Sequence, residues 1–338
     1  MPAPARSSVP LPCTAWAARR AQARGHRMIN VGNKPDTLRT ARASGRLQAP
    51  AEVLERIRSG QVEKGDCLQV ARVAGIQAAK RTDDLIPLCH PLPIHAAELA
   101  FEFTDDAVVI HAEAAVIGPT GVEMEALAAV SAAALTIYDM VKMYCEPEDL
   151  HIDGVRLLQK TGGKSQFSTR LRAPKSALVI VLSDTVAAGR KPDTAGQAVR
   201  ERLAACGFAP LDYSIMPDEP EPLLEAVNQA LEAGVDCILT VGGTGISPRD
   251  ITVETLAPLI RRDMPGIMEA GRAFGQRRTP YAMMSRGIAG LAGPHGRSLL
   301  MTLPGSRGGA TETLLAVLPG LIHLFDCRDA FAHPGGYQ

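Results

Sequence analysis

The spacing of hydrophobic and polar positions changes near residue 170, and the two sides predict different architectures. Between residues 28 and 167, short stretches of alternating polarity stand among helical stretches rich in Ala and Leu. The stretches 99–103 and 108–116 flank an Asp-Asp turn at 105–106, which predicts an antiparallel hairpin. We therefore expect an α+β domain over residues 28–167.

The longest element predicted in this half is a helix from about Val122 to Tyr144. Ala and Leu dominate it, and Glu123 and Glu125 lie in its first turn, where they suit the helix dipole. A rise of about 1.5 Å per residue puts Glu125 and Asp139 roughly 21 Å apart along the helix. One small substrate cannot span that distance. Either a single end of the helix is catalytic, or two chains meet at the site.

Asp139 and Lys142 stand three residues apart, on one face of this helix. The pair can act as an acid–base couple, and the alternative interpretation is an ordinary surface salt bridge. Residues from 154 onward predict a closing strand, and Lys-Thr-Gly-Gly-Lys-Ser at 160–165 predicts a flexible, doubly cationic loop. That loop resembles a phosphate clamp, but it lacks the spacing of a P-loop.

A second helix is predicted over 71–80, and a segment bounded by prolines follows it. Leu88, Cys89 and His90 lie between the prolines and cannot continue a helix, so the segment holds a thiol and an imidazole in a stiff turn. Lys80 and the arginine after it add two cations, a set suited to an anionic substrate that needs proton transfer. The alternative is a solvated basic helix end followed by a proline loop in the core.

After residue 176, apolar runs alternate with helical stretches, which predicts an α/β domain over 177–330 with a doubly wound, mostly parallel sheet. Strands are expected at 177–182, near 211 and at 237–241, with one helix at 195–206 and another that ends near 233. Ligands of such sheets bind at the carboxyl ends of the strands.

Candidate chemistry follows the strand at 237–241 directly. The turn 242–245, Gly-Gly-Thr-Gly, frees backbone N–H groups to converge on an anion. Asp250, just beyond it, can hold Mg²⁺ against a phosphate. A nicotinamide site is excluded, because no G-x-G-x-x-G follows the first strand of this half.

Two further segments belong to neither domain. Residues 168–176 are polar, basic and interrupted by proline, which predicts a linker. Residues 1–27 contain five arginines and no acidic residue. We expect a disordered extension there, and a transit peptide is the alternative.

Composition narrows the classes of function. A length of 338 residues favours two domains. Lys plus Arg and Asp plus Glu both number 36, so the protein has no net positive charge to attract DNA. Aromatic residues make up only 4% and leave few platforms on which single-stranded nucleic acid could stack.

The 7 cysteines include no C-x-x-C pair, which excludes a disulfide framework and a zinc knuckle and agrees with a reducing cytoplasm. No run of about 18 apolar residues is present, so no membrane span is expected.

Five motifs, in order, resemble cyclic pyranopterin monophosphate synthase of molybdenum cofactor biosynthesis. They are Ala-Gly-Ile-Gln-Ala-Ala-Lys-Arg-Thr (74–82), Leu-Ile-Pro-Leu-Cys-His-Pro-Leu (85–92), Thr-Gly-Val-Glu-Met-Glu-Ala-Leu (120–127), Leu-Thr-Ile-Tyr-Asp-Met (135–140) and Lys-Thr-Gly-Gly-Lys-Ser (160–165). The resemblance implies a ferredoxin-like fold over 28–167 and a hexamer of dimers with its site between subunits. It also implies that a cyclised dihydro-GTP triphosphate becomes cyclic pyranopterin monophosphate with loss of pyrophosphate. No cofactor is expected for this half.

The same resemblance implies roles for individual residues. The implied catalytic set is Asp139, Lys142, Lys64 and His90. The implied substrate-binding set is Leu88, Cys89, His90, Met124, Glu125, Glu123, Lys80, Lys160 and Lys164. The lysines can neutralise a triphosphate, and a lysine crowded by cations has a lowered pKa that suits proton transfer near neutrality. Two positions depart from the family pattern: Asn30 replaces a usual Asp, and Pro119 replaces a usual Lys.

The second half resembles molybdopterin adenylyltransferase and its close relatives. The motifs are Ser-Asp at 183–184, Pro-Asp-Glu at 217–219, the glycine turn with Pro-Arg-Asp at 248–250, Met-Pro-Gly at 264–266 and Leu-Pro-Gly-Ser at 303–306. The resemblance implies trimers that transfer AMP from MgATP to the phosphate of molybdopterin. The implied molybdopterin- and nucleotide-binding residues are Asp184, Asp218, Gly242, Gly243, Thr244, Gly245, Asp250 and Ser306, with Asp250 as the metal ligand. The sequence after Leu-Pro-Gly, Ser306-Arg307, departs from the proline that many active members have there.

We therefore predict a bifunctional, cytoplasmic enzyme of molybdenum cofactor synthesis. Its expected partners are a GTP-derived pyranopterin precursor, molybdopterin and further copies of itself, in a hexamer with dimeric N-terminal sites and trimeric C-terminal domains. Mg²⁺ and ATP are expected for the C-terminal domain. The alternative is that only the N-terminal domain catalyses, while the C-terminal domain binds molybdopterin or scaffolds the assembly.

Overall fold

The first half of the chain is an antiparallel sheet covered by helices. The computed structural model describes residues 26–163 and 166–329, so nearly all of the predicted extension, 1–27, lies outside the described residues, as does Lys164. The sheet order is β2-β3-β1-β4. Its elements are the strands β1 (Thr37–Gln48), β2 (Ala96–Phe103), β3 (Ala107–Gly118) and β4 (His151–Thr161) and the helices α1 (Ala51–Arg58), α2 (Cys67–Lys80), α3 (Thr82–Leu85) and α4 (Glu123–Val141).

Periodicity predicted the main elements of this half correctly. The hairpin is confirmed, because β2 pairs with β3 with Phe101 opposite Ile110. The long helix is confirmed as α4, and residues 142–144 continue it as one 3₁₀ turn. Small buried residues let α2 approach α4 closely: a Cβ on Gly75 would come within 2.9 Å of the Ala129 carbonyl oxygen. The two helices run antiparallel, so the residues before α2 lie beside the end of α4.

The predicted loop at 160–165 needs correction. Strand β4 begins at His151, three residues before the expected 154, and extends to Thr161. Lys160 therefore lies in a strand and not in a flexible loop. The reason is the length of β1, whose Ala41 pairs with Lys160 near the end of the ladder.

Two helices qualify the expectation that no stretch could span a membrane. The segments Glu123–Tyr144 and Arg307–Arg328 are long and apolar enough by length and composition. About half of each, 50% and 44%, is buried inside the protein. Each is a core helix, because its buried apolar residues pack into the hydrophobic core of its own half.

The second half is a mixed, mostly parallel sheet of six strands in the order β6-β5-β7-β10-β9-β8. Strands β6, β5, β7 and β10 run parallel, and β9 is antiparallel to both of its neighbours. The elements are β5 (Lys175–Leu182), α5 (Asp184–Ala187), α6 (Ala195–Cys206), β6 (Phe208–Met216), α7 (Pro220–Glu232), β7 (Cys237–Val241), α8 (Thr252–Leu256), β8 (Ile260–Asp263), α9 (Pro265–Gln276), β9 (Ala289–Ala292), β10 (Ser298–Leu303) and α10 (Arg307–Arg328).

Helices cover both faces of this sheet, as the alternation of apolar runs with helical stretches predicted. Val179 and Val181 of β5 join a core with α6 and α10, whereas Ile180 and Leu182 join a second core with α7. Strand β5 begins at Lys175, two residues earlier than expected, so the last two residues of the predicted linker lie in the sheet.

Candidate functional site

Two lysines and an aspartate meet at the C-terminal end of α4. Lys64, in the turn before α2, donates hydrogen bonds from Nζ to the carboxylate and to the backbone carbonyl of Asp139, each at 2.8 Å. Lys142 Nζ lies 2.8 Å from the other carboxylate oxygen. The pair at 139 and 142 is therefore part of a three-residue cluster, which is half-exposed to solvent.

Charge pairing sets the protonation of this cluster. Hydrogen bonds from Lys142 and then from Lys64 lower the pKa of Asp139 from 3.8 to about 2. The same carboxylate raises the pKa of Lys142. The expectation of a lowered lysine pKa is thus wrong for Lys142, because the adjacent carboxylate outweighs the second lysine. Asp139 is an ionised carboxylate at neutral pH.

A second cluster lies at the N-terminal end of α4. Glu123 accepts a hydrogen bond from Lys160 Nζ at 2.9 Å. Burial alone would raise the pKa of Glu123, but Lys160 and, more weakly, Arg39 lower it overall. Arg39 also donates to the carbonyl oxygens of Gly118 and Pro119. The sequence did not reveal Arg39, because nothing around it distinguishes it from the other arginines of β1.

Glu125 is the buried acid of this second cluster. It is only 4% exposed, and burial raises its pKa from 4.5 to about 6. Burial and then Glu125 raise the pKa of the Cys89 thiol, so Cys89 stays protonated at neutral pH. Met124 and Leu88 expose large apolar side chains at the surface of this half.

The segment before β1 holds the ring of His90. Its Nε2 lies 2.8 Å from the carbonyl oxygen of Ile29. A carbonyl oxygen only accepts hydrogen bonds, so Nε2 carries the proton, and Nδ1 is left to exchange a proton with a ligand. Lys80, at the end of α2, is exposed and has no carboxylate partner among the residues that the structure describes.

The structure therefore divides the predicted residues of this half between two ends of α4. Asp139 lies at one end and Glu125 at the other, and the helical rise keeps them roughly 21 Å apart. Within one chain, the lysine–aspartate cluster does not meet the buried acid.

A pocket of about 430 Å³ lies at the carboxyl ends of β5, β7 and β10. The predicted glycine turn lines it, and both of its first two glycines have a positive φ. A Cβ on Gly242 would lie 2.3 Å from the Leu182 carbonyl oxygen, and one on Gly243 would lie 2.1 Å from Thr252 Oγ1. Within the described ranges, no protein group accepts a hydrogen bond from the N–H groups of residues 243–245, so these donors are available for an anion.

Two of the predicted aspartates, Asp218 and Asp250, line this pocket, and Asp184 is hydrogen-bonded to Asp218 beside it. The carboxylates of Asp184 and Asp218 each accept the other residue's backbone N–H at 3.1 Å, and Arg249 forms an ion pair with Asp184. Burial, with the charges of Asp184 and Asp250, raises the pKa of Asp218. Hydrogen bonds from Asp218 and Arg249 lower that of Asp184. The Asp250 carboxylate accepts the Ser247 N–H at 2.8 Å through one oxygen.

This donor set fits a magnesium ion that arrives with phosphate. Mg²⁺ is usually held by one or two carboxylates together with phosphate oxygens. The second oxygen of Asp250 has no hydrogen-bond partner among the described residues, and Asp218 adds acidic charge beside it. Among all the residues that the structure describes, no group of three or more His, Cys, Asp or Glu side chains is placed to hold a metal by itself.

Ser306 lies beside this pocket and does not line it. Its Oγ accepts the Gly309 N–H at 3.1 Å and caps α10, whereas the preceding Pro-Gly at 304–305 reaches the pocket. The sequence interpretation overlooked Asp193, which does line the pocket. The Asp193 carboxylate accepts the N–H groups of residues 195–197 and the hydroxyl of Tyr213. Its position two residues before the predicted helix start is the signal for a cap.

Comparisons with known proteins match the two halves both separately and together. Residues 28–163 match the MoaC family, and residues 178–323 match a family described as a probable molybdopterin binding domain. The chain is 42% identical, over 307 residues, to the molybdenum cofactor biosynthesis bifunctional protein of Chlorobaculum tepidum, which covers 91% of this chain and 96% of that protein.

Shorter relatives match one half each. A cyclic pyranopterin monophosphate synthase of Desulfitobacterium hafniense is 54% identical over 140 residues, which is 41% of this chain and 85% of that protein. The solved structure of the molybdopterin biosynthesis Mog protein from Mycobacterium ulcerans is 37% identical and covers 46% of this chain and 99% of its own, with a TM-score of 0.43.

Proposed function

This chain belongs to the family of molybdenum cofactor biosynthesis bifunctional proteins, and we propose that its two halves catalyse two separate reactions. The first half converts a cyclised dihydro-GTP triphosphate to cyclic pyranopterin monophosphate with loss of pyrophosphate. The second half transfers AMP from ATP to the phosphate of molybdopterin. Similarity over nearly the whole chain to the Chlorobaculum tepidum protein, and 54% identity of the first half to a synthase, support this assignment.

The lysine–aspartate cluster of Lys64, Asp139 and Lys142 is the observation that carries the first reaction. Asp139 is ionised, so it can accept a proton from the substrate. The two lysines, each 2.8 Å from its carboxylate, can balance the negative charge that develops as pyrophosphate departs. An acid and two cations in contact suit a rearrangement that moves protons and releases phosphate together.

The second cluster of this half supplies further proton-transfer groups. A pKa of about 6 keeps a fraction of Glu125 protonated near neutrality, so this carboxyl can both give and accept a proton. His90 offers Nδ1 for the same purpose, because Ile29 holds Nε2. Lys160 and Arg39 add positive charge for a phosphate at the same end of α4.

The fold and the helix length support a site shared between chains. The strand order β2-β3-β1-β4, with helices between β1 and β2 and between β3 and β4, supports a ferredoxin-like assignment. The roughly 21 Å between Asp139 and Glu125 supports a site in which one chain contributes the lysine–aspartate cluster and another contributes Glu125 and His90. Dimeric sites in the first half and trimers of the second half together give a hexamer.

The pocket beside the glycine turn supports the second reaction. The N–H groups of residues 243–245 are placed to bind a phosphate of ATP, and Arg249, paired with Asp184, offers a cation for the leaving group. Asp250, with Asp218 beside it, would hold Mg²⁺, which when bound neutralises phosphate charge. Transfer forms a bond from a molybdopterin phosphate oxygen to the α-phosphorus of ATP and breaks the bond to the β-phosphate, so pyrophosphate leaves.

A reducing compartment suits the described cysteines. Five of them are free thiols: Cys67, Cys89, Cys145, Cys206 and Cys237. This observation supports the cytoplasm as the place where the homo-oligomer works.

A second candidate is a C-terminal half that binds molybdopterin without adenylylating it. The description of the matching family as a binding domain favours this candidate, and so does the use of the Ser306 hydroxyl to cap α10. The test offers the purified chain cyclised dihydro-GTP triphosphate alone, or molybdopterin with MgATP, and measures pyrophosphate. Release in both mixtures supports two enzymes, and release in the first mixture alone favours the binding domain. Release in neither contradicts the proposal.

A further inference from the structure

Arg286 ties together the two ends of the loop that carries Asp250. It follows Ser285, which lines the pocket. Its Nε donates a hydrogen bond to the Gly245 carbonyl oxygen at 2.6 Å, and its Nη2 donates to the Asp250 carbonyl oxygen at 2.8 Å. Its Nη1 forms an ion pair with Glu254 on α8.

The backbone of Arg286 adds a fourth contact, because its N–H donates to the Thr244 carbonyl oxygen at 2.9 Å. Between these anchors the loop closes on itself. The Asp250 N–H donates to the Ser247 carbonyl oxygen at 2.9 Å, and the Ser247 N–H donates to the Asp250 carboxylate at 2.8 Å. One residue from outside the loop therefore fixes both ends of 244–250.

We propose that Arg286 is a positioning residue that holds the turn 244–250 in the shape that receives a nucleotide phosphate. The identity of the ligand rests on the proposed function of the C-terminal half. The turn contains neither helix nor strand, so its shape depends on the hydrogen bonds between Ser247 and Asp250 and on the contacts that Arg286 makes with its two ends. A turn that is ordered before the phosphate arrives loses less conformational freedom on binding, and it presents the N–H groups and the Asp250 carboxylate to the pocket together.

The chemistry of the side chain explains why an arginine stands at this position. Its planar fork directs separate N–H groups at two carbonyl oxygens and one carboxylate at the same time. A lysine keeps the positive charge but is a point donor on a flexible stem. Arg286→Lys should therefore keep the ion pair with Glu254 and lose at least one of the two carbonyl contacts.

The test compares Arg286→Lys and Arg286→Gln with Arg328→Lys in the full-length protein. Arg328 is a matched control, since its guanidinium also joins a backbone carbonyl oxygen, that of Arg297, to acidic side chains, but at the opposite ends of the strands. Hydrogen–deuterium exchange at residues 247, 250 and 252, whose amides are hydrogen-bonded, reports on the turn without a ligand. Calorimetry with MgATP reports on the pocket. Glu254→Gln, which removes one contact only, replaces the Arg286 variants if they fail to fold.

We expect amide exchange in the turn to rise about tenfold in Arg286→Gln, with a smaller rise in Arg286→Lys. MgATP should bind roughly ten- to hundredfold more weakly, as loss of charge-assisted hydrogen bonds implies. The synthase reaction of the first half should be unchanged, and Arg328→Lys should alter neither readout. Unchanged exchange in both Arg286 variants overturns the proposal, and so does faster exchange with unchanged MgATP affinity. If the wild-type protein binds no MgATP, adenylyl transfer fails as the function, and the exchange data alone decide whether Arg286 holds the turn.

Discussion

Lys64 donates a hydrogen bond to the carboxylate of Asp139 at 2.8 Å, although 75 residues separate the two in the chain. The antiparallel packing of α2 on α4 explains the contact, because it places the residues before α2 beside the end of α4. Gly75 permits that packing, since a Cβ there would crowd the Ala129 carbonyl oxygen. One carboxylate consequently forms an ion pair with the ammonium groups of two lysines, Lys64 and Lys142.

Asp139→Asn should lower the rate of cyclic pyranopterin monophosphate formation by roughly 100-fold or more, because the amide keeps the shape but accepts no proton. Thermal stability should change little, since the ion pairs of Asp139 are exposed. Steady-state pyrophosphate release and thermal unfolding are the measurements. Arg58→Gln is the control, because it removes an equally exposed ion pair with Glu55. Near-normal turnover by Asp139→Asn would refute the catalytic role.

Mixing two inactive variants tests whether the first site is shared. Lys142→Ala removes a group at one end of α4, and His90→Ala removes the imidazole next to Cys89, whose thiol has its pKa raised in part by Glu125 at the other end. If one chain contributes each cluster, subunit exchange should form some sites with both groups intact and restore part of the activity. Lys142→Ala mixed with Asp139→Asn is the control and should restore none, because both changes lie in one cluster. A site within one chain predicts no recovery in either mixture, even after exchange is proven.

The buried carboxyl of Glu125 should make stability fall as pH rises. Its pKa is about 6 in the folded protein against an ordinary 4.5, so folding favours the protonated form. The resulting stabilisation is fully present below about pH 4.5 and is lost as pH rises through about 6, with a size on the order of 2 kcal/mol. Glu125→Gln should remove that pH dependence, whereas Glu148→Gln, at an exposed position, should keep it. Urea unfolding at pH 4.5 and 7.5 measures the difference, and identical pH dependence in wild type and Glu125→Gln would show that the carboxyl is not buried.

In the first half, the local sequence pattern was sufficient to predict the helices and strands. It was insufficient to predict the contacts between residues that are distant in the chain. The hairpin and α4 follow from periods of two and of three to four residues, which are visible within a short window. Lys160 was placed in a loop because the glycines after it suggest one, but pairing with β1, more than a hundred residues earlier, extends the strand over it. The raised pKa of Lys142 depends on a distance to Asp139 that spacing alone does not give.

Gly245→Ala should impair nucleotide chemistry without unfolding the protein. A Cβ at this position would lie 2.8 Å from Asp250 Oδ2, so the carboxylate must move. Because the clash involves the end of a side chain, the fold should tolerate it. Pyrophosphate release from ATP with molybdopterin present should fall at least about tenfold, as expected when an acidic group is displaced from a phosphate site. Gly320→Ala is the matched control, since a Cβ there meets nothing within 4 Å and the position lies outside the named motifs. Equal rates in the two variants would contradict the role of Asp250.

In the pocket of the second half, too, the features formed by consecutive residues were predicted and the contacts between distant residues were not. The glycine turn at the end of β7 and the alternation of strands and helices are readable from consecutive residues, and the pocket lies at the expected ends of the strands. Arg286 could not be identified in this way, because its partner Gly245 lies 41 residues earlier. For Ser306 the local motif was misleading. The motif predicted a ligand-binding residue, whereas the structure shows that its hydroxyl caps α10.

The assignment of two enzymes to one chain is tested most directly by assaying both reactions on full-length Asp139→Asn and Asp250→Asn. The readouts are pyrophosphate from the cyclised dihydro-GTP triphosphate without ATP, and pyrophosphate from MgATP with molybdopterin. We predict crossed losses: Asp139→Asn loses the first reaction and keeps the second, and Asp250→Asn does the reverse while still binding molybdopterin. If wild-type protein binds molybdopterin but releases no pyrophosphate from MgATP, or if Asp250→Asn adenylylates normally, the second half is not the adenylyltransferase proposed for it.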